Sequence, residues 1–376
     1  MMASVLISLG ILGVYAYTMR WYARVWTRIP TFLPPAGFRP NTSVTVLIPA
    51  RDEAANIGAC LRSIFRNNYP ERLLQLLVLD DHSTDTTAEI ARANGAEVLR
   101  LAAHPPPPGT LGFKKHAITT GVHHARGELI VCTDADCIVP PDWLRLLVAA
   151  YETERADFIA APVAFTAERT PFQRFQSLDF LGMMGITAAG IHTRAYYMGN
   201  GANLAYPKRI FGAVGGFGDD PYASGDDMLL LERIRRQPNA RIFYLKNAQA
   251  TVLTRPAEDW SAFFKQRLRW GTKTSGYQDK ALKWRLGVAW ICCWSIALNT
   301  LLGLISYQFF LLALVQFGGK ALSDWRLLRS TSHYFGRPEL LRAYLRAELW
   351  HLRYILSVGT ASVFVRRYEW KGRRVR

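Results

Sequence analysis

The sequence lacks the cysteine spacing of a disulfide framework or of a structural zinc site. Its five cysteines are odd in number, and no two of them form a CxxC pattern. It also lacks a GxGxxG turn, the phosphate-binding signature of dinucleotide-binding folds. The cysteine pattern favours a reducing compartment and counts against a zinc site. The missing glycine motif counts against a dinucleotide-binding fold.

Acidic residues are scarce relative to basic ones, with 29 Asp and Glu against 46 Lys and Arg and a formal net charge of +17. Such a surplus is typical of proteins that bind nucleic acid, acidic ligands or an anionic membrane face. Residues 319–376 contain 13 Lys and Arg but 4 Asp and Glu. Because this basic region adjoins a long apolar segment, the sequence favours a lipid bilayer as partner and gives nucleic acid little support.

The first apolar segment, residues 1–19, has no charged residue and is followed at once by Arg20, Arg24 and Arg28. A secretory signal has the reverse order, with positive charge before the apolar core. Residues 1–28 are therefore predicted to be an uncleaved membrane anchor. The positive-inside rule places its N-terminus outside and the following chain in the cytoplasm.

A second uncharged run, residues 286–319, has basic residues on both sides. One crossing needs about 20 residues, so the run is too long for a single span. Because both flanks are basic, we predict a transmembrane hairpin over residues 284–319 with a tight turn near residues 299–303. The alternative is a pair of buried core helices.

Residues 320–376 are predicted to form a basic juxtamembrane tail, in which the apolar piece 354–365 is interfacial or re-entrant. Together with the two apolar segments, this predicts a multi-pass protein of the inner cell membrane with its catalytic domain in the cytoplasm.

Between the apolar segments, short apolar runs alternate with helical patterns. Strands bare of polar residues are buried on both faces, which predicts a doubly wound parallel α/β sheet. The predicted strands are residues 43–49, 73–80, 96–101, 128–134 and 157–162.

Polar clusters follow three of these strands, at residues 49–53, 80–85 and 134–136. Ligands of such sheets bind at the carboxyl ends of the strands, so the clusters are expected to converge. Asp134 and Asp136 are costly to bring together unless a cation neutralises them, and carboxylate oxygens suit Mg²⁺ or Mn²⁺ against a diphosphate. For an isolated DxD, the alternative is a solvated loop with a helix cap.

Five motifs in order, VTVLIPARDE, LVLDDHSTD, TDAD, SGDDMLLLERI and QRLRW, resemble those of the family-two inverting glycosyltransferases of GT-A fold. The resemblance covers residues 43–271, and the flanking apolar segments are similar to those of the membrane-bound branch. It implies a Rossmann-like GT-A domain over residues 40–275, with transmembrane helices on both sides of it.

The resemblance implies that Asp227 is the general base and that Asp226, standing where the family has glutamate, completes the catalytic pair. A like-charged neighbour is expected to raise the pKa of Asp227; an N-cap pair is the alternative. Asp136 and Asp134 would hold Mg²⁺ or Mn²⁺. The implied donor-binding residues are Pro49, Glu53, Asp81, Lys114, Asp134, Gly201, Gln266, Arg269 and Trp270.

The match to the family is incomplete around Lys114, and the QxxRW piece has a second interpretation. Lys114 matches the family's lysine, although Phe113 and Thr119 stand where the family has glycine and asparagine. On a helix, the three QxxRW side chains share one face and could meet a diphosphate and a sugar together. By itself, this piece could equally be an amphipathic interfacial helix.

The implied reaction transfers a sugar from a nucleoside-diphosphate donor to a hydroxyl of a membrane-associated acceptor, with a lipid preferred. A processive polysaccharide synthase is one alternative, and an inactive GT-A scaffold module is another. The sugar, the nucleotide, the acceptor and the oligomeric state do not follow from the sequence.

Overall fold

The computed structural model describes residues 2–106, 112–218, 226–272, 278–365, 368–370 and 373–375. The chain divides into two compact units. The sheet unit consists of Pro30–Thr166, Tyr197–Arg255 and Arg367–Arg376. The helical unit consists of Met1–Ile29, Ala167–Tyr196 and Pro256–Arg366.

The sheet unit alternates strands and helices along most of its length. Its strands are β1 (Val44–Ala50), β2 (Leu74–Asp80), β3 (Glu97–Arg100), β4 (Leu129–Cys132), β5 (Phe158–Ala160), β6 (Val163–Phe165), β7 (Leu204–Pro207), β8 (Ile242–Tyr244), β9 (Val252–Thr254), β10 (Tyr368–Trp370) and β11 (Arg373–Val375). Its helices are α2 (Ile57–Phe65), α3 (Thr87–Ala93), α4 (Phe113–His124), α5 (Trp143–Glu154), α7 (Lys208–Ala213) and α8 (Asp226–Arg235).

The main sheet has seven strands in the order β3-β2-β1-β4-β7-β5-β8. The first four are parallel, β7 is antiparallel to both of its neighbours, and β8 is parallel to β5. Strands β1, β2 and β4 are almost entirely buried, as expected when helices cover both faces. The predicted α/β fold with a mostly parallel sheet is confirmed.

The register of the sheet decides which loops open on the same edge. Ala50 pairs with Asp80, so β1 and β2 end level with each other. Cys132, the last residue of β4, pairs with Leu204, the first residue of the antiparallel strand β7. The loops that follow β1, β2 and β4 and the loop that precedes β7 therefore meet at one edge.

Asn203 fixes the loop before β7 from inside the core. Its Oδ1 accepts a hydrogen bond from the indole of Trp143 at 2.9 Å, and its Nδ2 donates to the carbonyl oxygens of Pro162 and Ala250 at 2.7 and 2.9 Å. The side chain is fully buried with all of these groups paired, so it holds the loop without a desolvation penalty.

The helical unit is built from seven α-helices and one π-helical turn within the described residues. The helices are α1 (Met2–Arg28), α6 (Pro171–Thr193), α9 (Trp260–Gly271), α10 (Lys280–Leu302), α11 (Tyr307–Tyr334), α12 (Tyr344–Tyr354) and α13 (Thr360–Phe364). The π-helical turn Ile355–Gly359 joins the last two. By length and composition, two helices of the described chain could cross a membrane, α1 and α10.

Helices α1 and α11 run side by side in the same direction. Near the start of both, Gln316 Nε2 donates to the carbonyl oxygen of Ser8 at 2.9 Å. One to two turns further on, the Tyr15 hydroxyl donates to Asp324 Oδ1 at 2.7 Å. The two pairs fix the register of α11 against α1.

Helix α10 runs in the opposite direction beside them. Asn299, near its C-terminal end, donates to Ser8 Oγ at 2.9 Å and to Gln316 Oε1 at 2.7 Å. Near its N-terminal end, the Arg285 guanidinium lies 4.5 Å from the ring of Trp21. The chain turns between residues 302 and 307, beside the N-terminal half of α1, so the three helices form a bundle with one polar network inside it.

A buried ion cluster joins α11 to α12. Lys320 Nζ lies 2.8 Å from Asp324 Oδ2 and 2.5 Å from Glu348 Oε2, and all three side chains are buried. Buried charges are tolerated only when they are paired and hydrogen-bonded, and this ammonium group satisfies two carboxylates at once.

A second buried ion pair joins α9 to α6. The Arg267 guanidinium lies 3.1 Å from Asp179 and is fully shielded from solvent. The rings of Trp270 and Phe263 stand 4.5 and 5.0 Å from it, so the cation is held by a carboxylate and by aromatic faces together.

The contact-based units do not follow the bounds of the domain predicted over residues 40–275, which stay a prediction. Helices α6 and α9 lie within that range, yet both belong to the helical unit. Helix α6 is buried along most of its length and packs against α1, α11 and α12. Its position follows from tertiary packing, which the local alternation of strands and helices does not reveal.

The ion cluster generates a stability prediction. Changing Lys320→Met leaves Asp324 and Glu348 as adjacent buried carboxylates without a cation, so we expect a loss of about 3–5 kcal/mol and a clearly lower Tm. The measurement is thermal unfolding of the purified protein in detergent. Arg326→Met, an exposed position on the same helix, is the matched control and should change Tm little.

The triple variant Lys320→Met, Asp324→Asn, Glu348→Gln removes all three charges together. Its Tm should lie above that of Lys320→Met, because no buried charge is then left unpaired. Equal Tm values for the Lys320→Met and Arg326→Met variants would show that the cluster does not stabilise the helical unit.

Candidate functional site

The carboxyl edge of the sheet carries a compact group of acids after β4. Ligand atoms of Asp134, Asp136 and Cys137 all lie within 4.8 Å of one another. Asp134 is half-buried and Asp136 is exposed, whereas Cys137 lies beneath them in the core. Two carboxylates that are close together and open to solvent form an arrangement that can bind a divalent cation.

Lys114 lies against the first of these acids. Its Nζ is 2.9 Å from Asp134 Oδ1, and both side chains are partly exposed. The residue sits in the first turn of α4, which brings an ammonium group to the acidic edge. The edge therefore offers both carboxylates for a metal and a cation for a phosphate.

Glu53, in the loop after β1, adds a third carboxylate to the neighbourhood of Asp136. Its backbone N–H donates to Thr87 Oγ1 at 2.8 Å, and its Oε2 accepts from Asn56 Nδ2 at 2.9 Å. Although the Asp136 side chain is exposed, the surrounding protein displaces water from its carboxyl group. That desolvation, with the charges of Asp134 and Glu53, raises the pKa of Asp136.

Thr254 is a further neighbour of Asp136. Its Oγ1 donates to Asp136 Oδ2 at 3.2 Å from the end of β9. Sequence reasoning missed this residue, because no motif surrounds it and more than a hundred residues separate it from the acids. Cys137 could have been found, since it directly follows the Asp134–Asp136 pair.

The loops after β1 and β2 support each other. The Asp81 backbone N–H donates to the carbonyl oxygen of Ala50 at 2.8 Å, and the buried Asp81 carboxylate lies 3.0 Å from His82 Nδ1. Pro49 pairs with Leu79 within the parallel ladder. These contacts keep Pro49 and Asp81 at the same edge as Glu53.

Two neighbouring acids, Asp80 and Asp85, hold the loops after β1 and β2 by accepting from backbone N–H groups. Asp80 Oδ1 accepts from the Ser83 backbone N–H at 3.2 Å, and Asp85 Oδ2 accepts from the Ala54 backbone N–H at 3.1 Å. Both carboxylates are used within the protein, so they hold the loops in place.

Asp227, near the start of α8, contacts the loop before β7. Its Oδ2 accepts from the Gly201 backbone N–H at 3.1 Å, and its Oδ1 accepts from the Met228 backbone N–H at 2.8 Å. Because that loop opens on the edge where β4 ends, Asp227 and Gly201 belong to the same edge as Asp134. Two backbone donors fix the orientation of the Asp227 carboxylate.

The Asp226 side chain lies outside the described residues, so its part in the acid pair stays a prediction. So does the expected effect of Asp226 on the pKa of Asp227.

The predicted QxxRW residues are on α9, in the helical unit, whereas the other predicted site residues are in the sheet unit. Gln266, Arg269 and Trp270 are all half-buried. Trp270 packs on the Arg267 guanidinium, and Arg269 makes no ion pair within the described part of the chain. Arg267, which the motif leaves unspecified, is the buried anchor of this helix.

Comparison with known proteins identifies the family of this arrangement. The profile of the glycosyltransferase-like family 2 matches residues 40–272, which is well over half of the chain. A solved mannosyltransferase from Pyrobaculum calidifontis, in complex with GDP-Man and Mn²⁺, is similar in fold. It has a TM-score of 0.58 and 19% identity over 96% of this chain and 98% of its own.

Among curated proteins, the glycosyltransferase AglE of Haloferax volcanii is 28% identical over 144 residues, covering 37% of this chain and 46% of its own length. The 4,4'-diaponeurosporenoate glycosyltransferase of Staphylococcus aureus (strain USA300) is 31% identical over 152 residues, covering 36% of this chain and 39% of its own. The match thus spans less than half of each curated relative. The family profile covers the whole sheet edge described above, and the chain belongs to the glycosyltransferase-like family 2.

Proposed function

We propose that this glycosyltransferase moves a sugar, with inversion, from a nucleoside-diphosphate donor to a hydroxyl of a membrane-embedded lipid. Two observations support the proposal: the paired carboxylates of Asp134 and Asp136 after β4, and the oriented Asp227 carboxylate beside the loop that precedes β7. Transfer from a nucleoside diphosphate needs a cation for the leaving group and a base for the acceptor, and the carboxyl edge of the sheet offers residues for both.

The residues at this edge fit a divalent metal ion. Asp136 and Asp134 would hold Mg²⁺ or Mn²⁺, because hard carboxylate oxygens are the ligands these ions prefer. When bound, the ion neutralises charge on the leaving diphosphate. Lys114, now paired with Asp134, is placed to contact a phosphate oxygen once a metal ion occupies the carboxylates.

Asp227 is the proposed general base. The Gly201 and Met228 N–H groups hold its carboxylate in one orientation, so it needs no rearrangement to accept the acceptor proton. Gly201 sits in a loop of small residues that lets a sugar approach the backbone. Pro49, Glu53 and Asp81 would surround the nucleotide on the side of β1 and β2.

Membrane insertion is supported by the outward faces of the three-helix bundle. The charged residues between positions 307 and 325 of α11 are Lys320 and Asp324, and both are buried in the ion cluster. Apart from Gln308 in the first turn, the exposed side chains of α11 in this range are apolar, so we infer that α11 crosses beside α1 although its composition is less apolar. Its exposed apolar side chains include Phe310, Leu311, Leu314, Val315 and Leu322.

The lipid acceptor is supported by this bundle and by a relative named for glycosyl transfer to 4,4'-diaponeurosporenoate. The QxxRW residues would contact the donor diphosphate and the acceptor from α9. Three crossings in one chain do not favour a processive polysaccharide synthase, which needs a channel for its product.

The metal role predicts the behaviour of Asp136→Ala. Loss of this ligand should lower metal-dependent donor turnover by about 10²-fold or more, because the leaving diphosphate loses its neutralising cation. Donor hydrolysis is measured in detergent with Mn²⁺, with Mg²⁺ and with excess EDTA. Glu71→Ala, an exposed acid elsewhere in the sheet unit, is the control. Full activity in EDTA would refute the metal role.

Base and binding roles are separated by two substitutions. Asp227→Asn keeps the shape of the side chain but removes its basicity, so turnover should fall by about 10²-fold or more while donor affinity changes little. Arg269→Ala should lower donor affinity as well as turnover, since a guanidinium that contacts the diphosphate also stabilises the bound donor before reaction. Calorimetry measures donor affinity and initial rates measure turnover, in the same detergent. Near-normal turnover of Asp227→Asn would make Asp226 the next candidate base.

Topology is tested by cysteine labelling of intact cells. The native cysteines are buried, so background labelling is low. We expect a membrane-impermeant maleimide to label Ile305→Cys, in the exposed turn between α10 and α11, from outside. The same reagent should not label Arg66→Cys in the sheet unit or Arg376→Cys at the C-terminus. External labelling of Arg376→Cys would contradict the hairpin.

A further inference from the structure

Helix α12 presents a mixed basic and apolar face to solvent. Leu345 and Leu349 are 65% and 57% exposed, and Arg346 and Arg353 are exposed between and beyond them. These four side chains fall within about 100° of the helix circumference, and Arg342 is exposed in the short 3₁₀ helix Pro338–Ala343 just before α12. The opposite side of the helix is buried and carries Ala347 and Glu348.

The buried ion cluster fixes the level of this face along the bundle. Glu348 is held by Lys320, and the ring of Tyr344 lies 5.0 Å from that of Trp325, so α12 is anchored to residues 320–325 of α11. Apart from Gln308 in the first turn, the exposed side chains of α11 are apolar up to Leu322, and exposed charge begins at Arg326. Helix α12 therefore lies at the polar boundary of the bundle.

The other two bundle helices become basic at the same end. Arg20, Arg24 and Arg28 are exposed on α1, and Lys280 and Lys283 are exposed at the start of α10. Arg285 of α10 lies against Trp21 of α1, which places these two basic stretches side by side. The boundary is thus positively charged on every bundle helix.

We propose that the exposed face of α12 binds the headgroups of anionic membrane lipids. Its guanidinium groups match phosphate oxygens, and Leu345 and Leu349 extend into the acyl region beneath them. Glu348 is buried on the opposite side of α12 and paired with Lys320, so its carboxylate does not face the headgroups. This proposal rests on the membrane insertion proposed above and adds a lipid selectivity to it.

The arginines of this face are available for such contacts. Arg346 and Arg353 form no ion pair with another residue of the described chain, and the Arg353 guanidinium lies 4.0 Å from the ring of Trp260. Glu339, the acid beside Arg342, is already paired with Arg337. A face of this composition fits an anionic leaflet better than an acidic protein, because its leucines alternate with its arginines.

The test measures which lipids stay with the full-length protein. The protein is reconstituted in nanodiscs of mixed phosphatidylcholine and phosphatidylglycerol and released gently into detergent. Native mass spectrometry then compares the bound ratio of the two lipids with the bulk ratio. We expect the wild type to retain phosphatidylglycerol about threefold above bulk, and this enrichment to fall as salt rises, since headgroup contacts are screened.

The decisive variant is Arg342→Gln, Arg346→Gln, Arg353→Gln. It should bring the bound ratio to the bulk value, whereas Arg39→Gln, Arg66→Gln, Arg72→Gln, with three exposed arginines of the sheet unit, should leave the enrichment intact. Leu345→Ser, Leu349→Ser should retain part of it because the charges remain. Inorganic phosphate should compete no better than chloride at equal ionic strength if the ligand is a lipid rather than a free anion.

Unchanged phosphatidylglycerol enrichment in the α12 arginine variant would overturn the proposal. If that variant does not fold, as judged by its Tm, wild-type enrichment that is insensitive to salt would overturn it instead. Loss of enrichment in the sheet-unit control as well would indicate a non-specific effect of total charge and would also refute it. No donor or acceptor is present in these measurements, so the outcome is independent of the proposed glycosyl transfer.

Discussion

The repulsion between carboxylates gathered at one end of a parallel sheet is the constraint around which the sheet unit is organised. Parallel strands bring every following loop to the same edge, and here the loops bring Glu53, Asp134 and Asp136 together. Desolvation and this repulsion raise the pKa of Asp136, and the Lys114 ammonium group forms an ion pair with Asp134. An edge that concentrates negative charge in this way is suited to a divalent cation and its diphosphate.

Not every acid at this edge is available for chemistry, and the hydrogen bonds distinguish them. Asp80 accepts from the Ser83 N–H of its own loop and Asp85 accepts from the Ala54 N–H of the loop after β1, so both carboxylates hold these two loops in place. Asp227 also accepts from backbone N–H groups, but one of these belongs to Gly201 in a loop of small residues. This difference is what makes Asp227 the candidate base.

In the helical unit, buried charged side chains are paired with one another. Lys320 pairs with two carboxylates between α11 and α12, and the Arg267 guanidinium lies 3.1 Å from Asp179 between α9 and α6. Because these charges point inward, the helices can present apolar side chains outward. These ion pairs also fix helix α9, which carries Gln266, Arg269 and Trp270, and helix α12, which carries the basic face.

The sequence by itself determined the alternation of strands and helices, the mostly parallel sheet, the long apolar helices α1 and α10, and the convergence of the loops that follow β1, β2 and β4. These features follow from local hydrophobic periodicity and from the geometry of parallel strands. Short segments of sequence are enough to predict them. The five sequence motifs likewise indicate the family, because they are short and contiguous.

Only the tertiary structure decided which distant residues meet. Thr254 reaches Asp136, Gly201 orients Asp227, and α6 leaves the sheet unit to pack among the long helices. Lys320 and Asp324 fall in the tail predicted from residue 320, but they lie inside α11, and their partner Glu348 lies on another helix. Contacts of this kind join elements that are tens to hundreds of residues apart in the sequence. The hydrophobic periodicity within one element does not predict them.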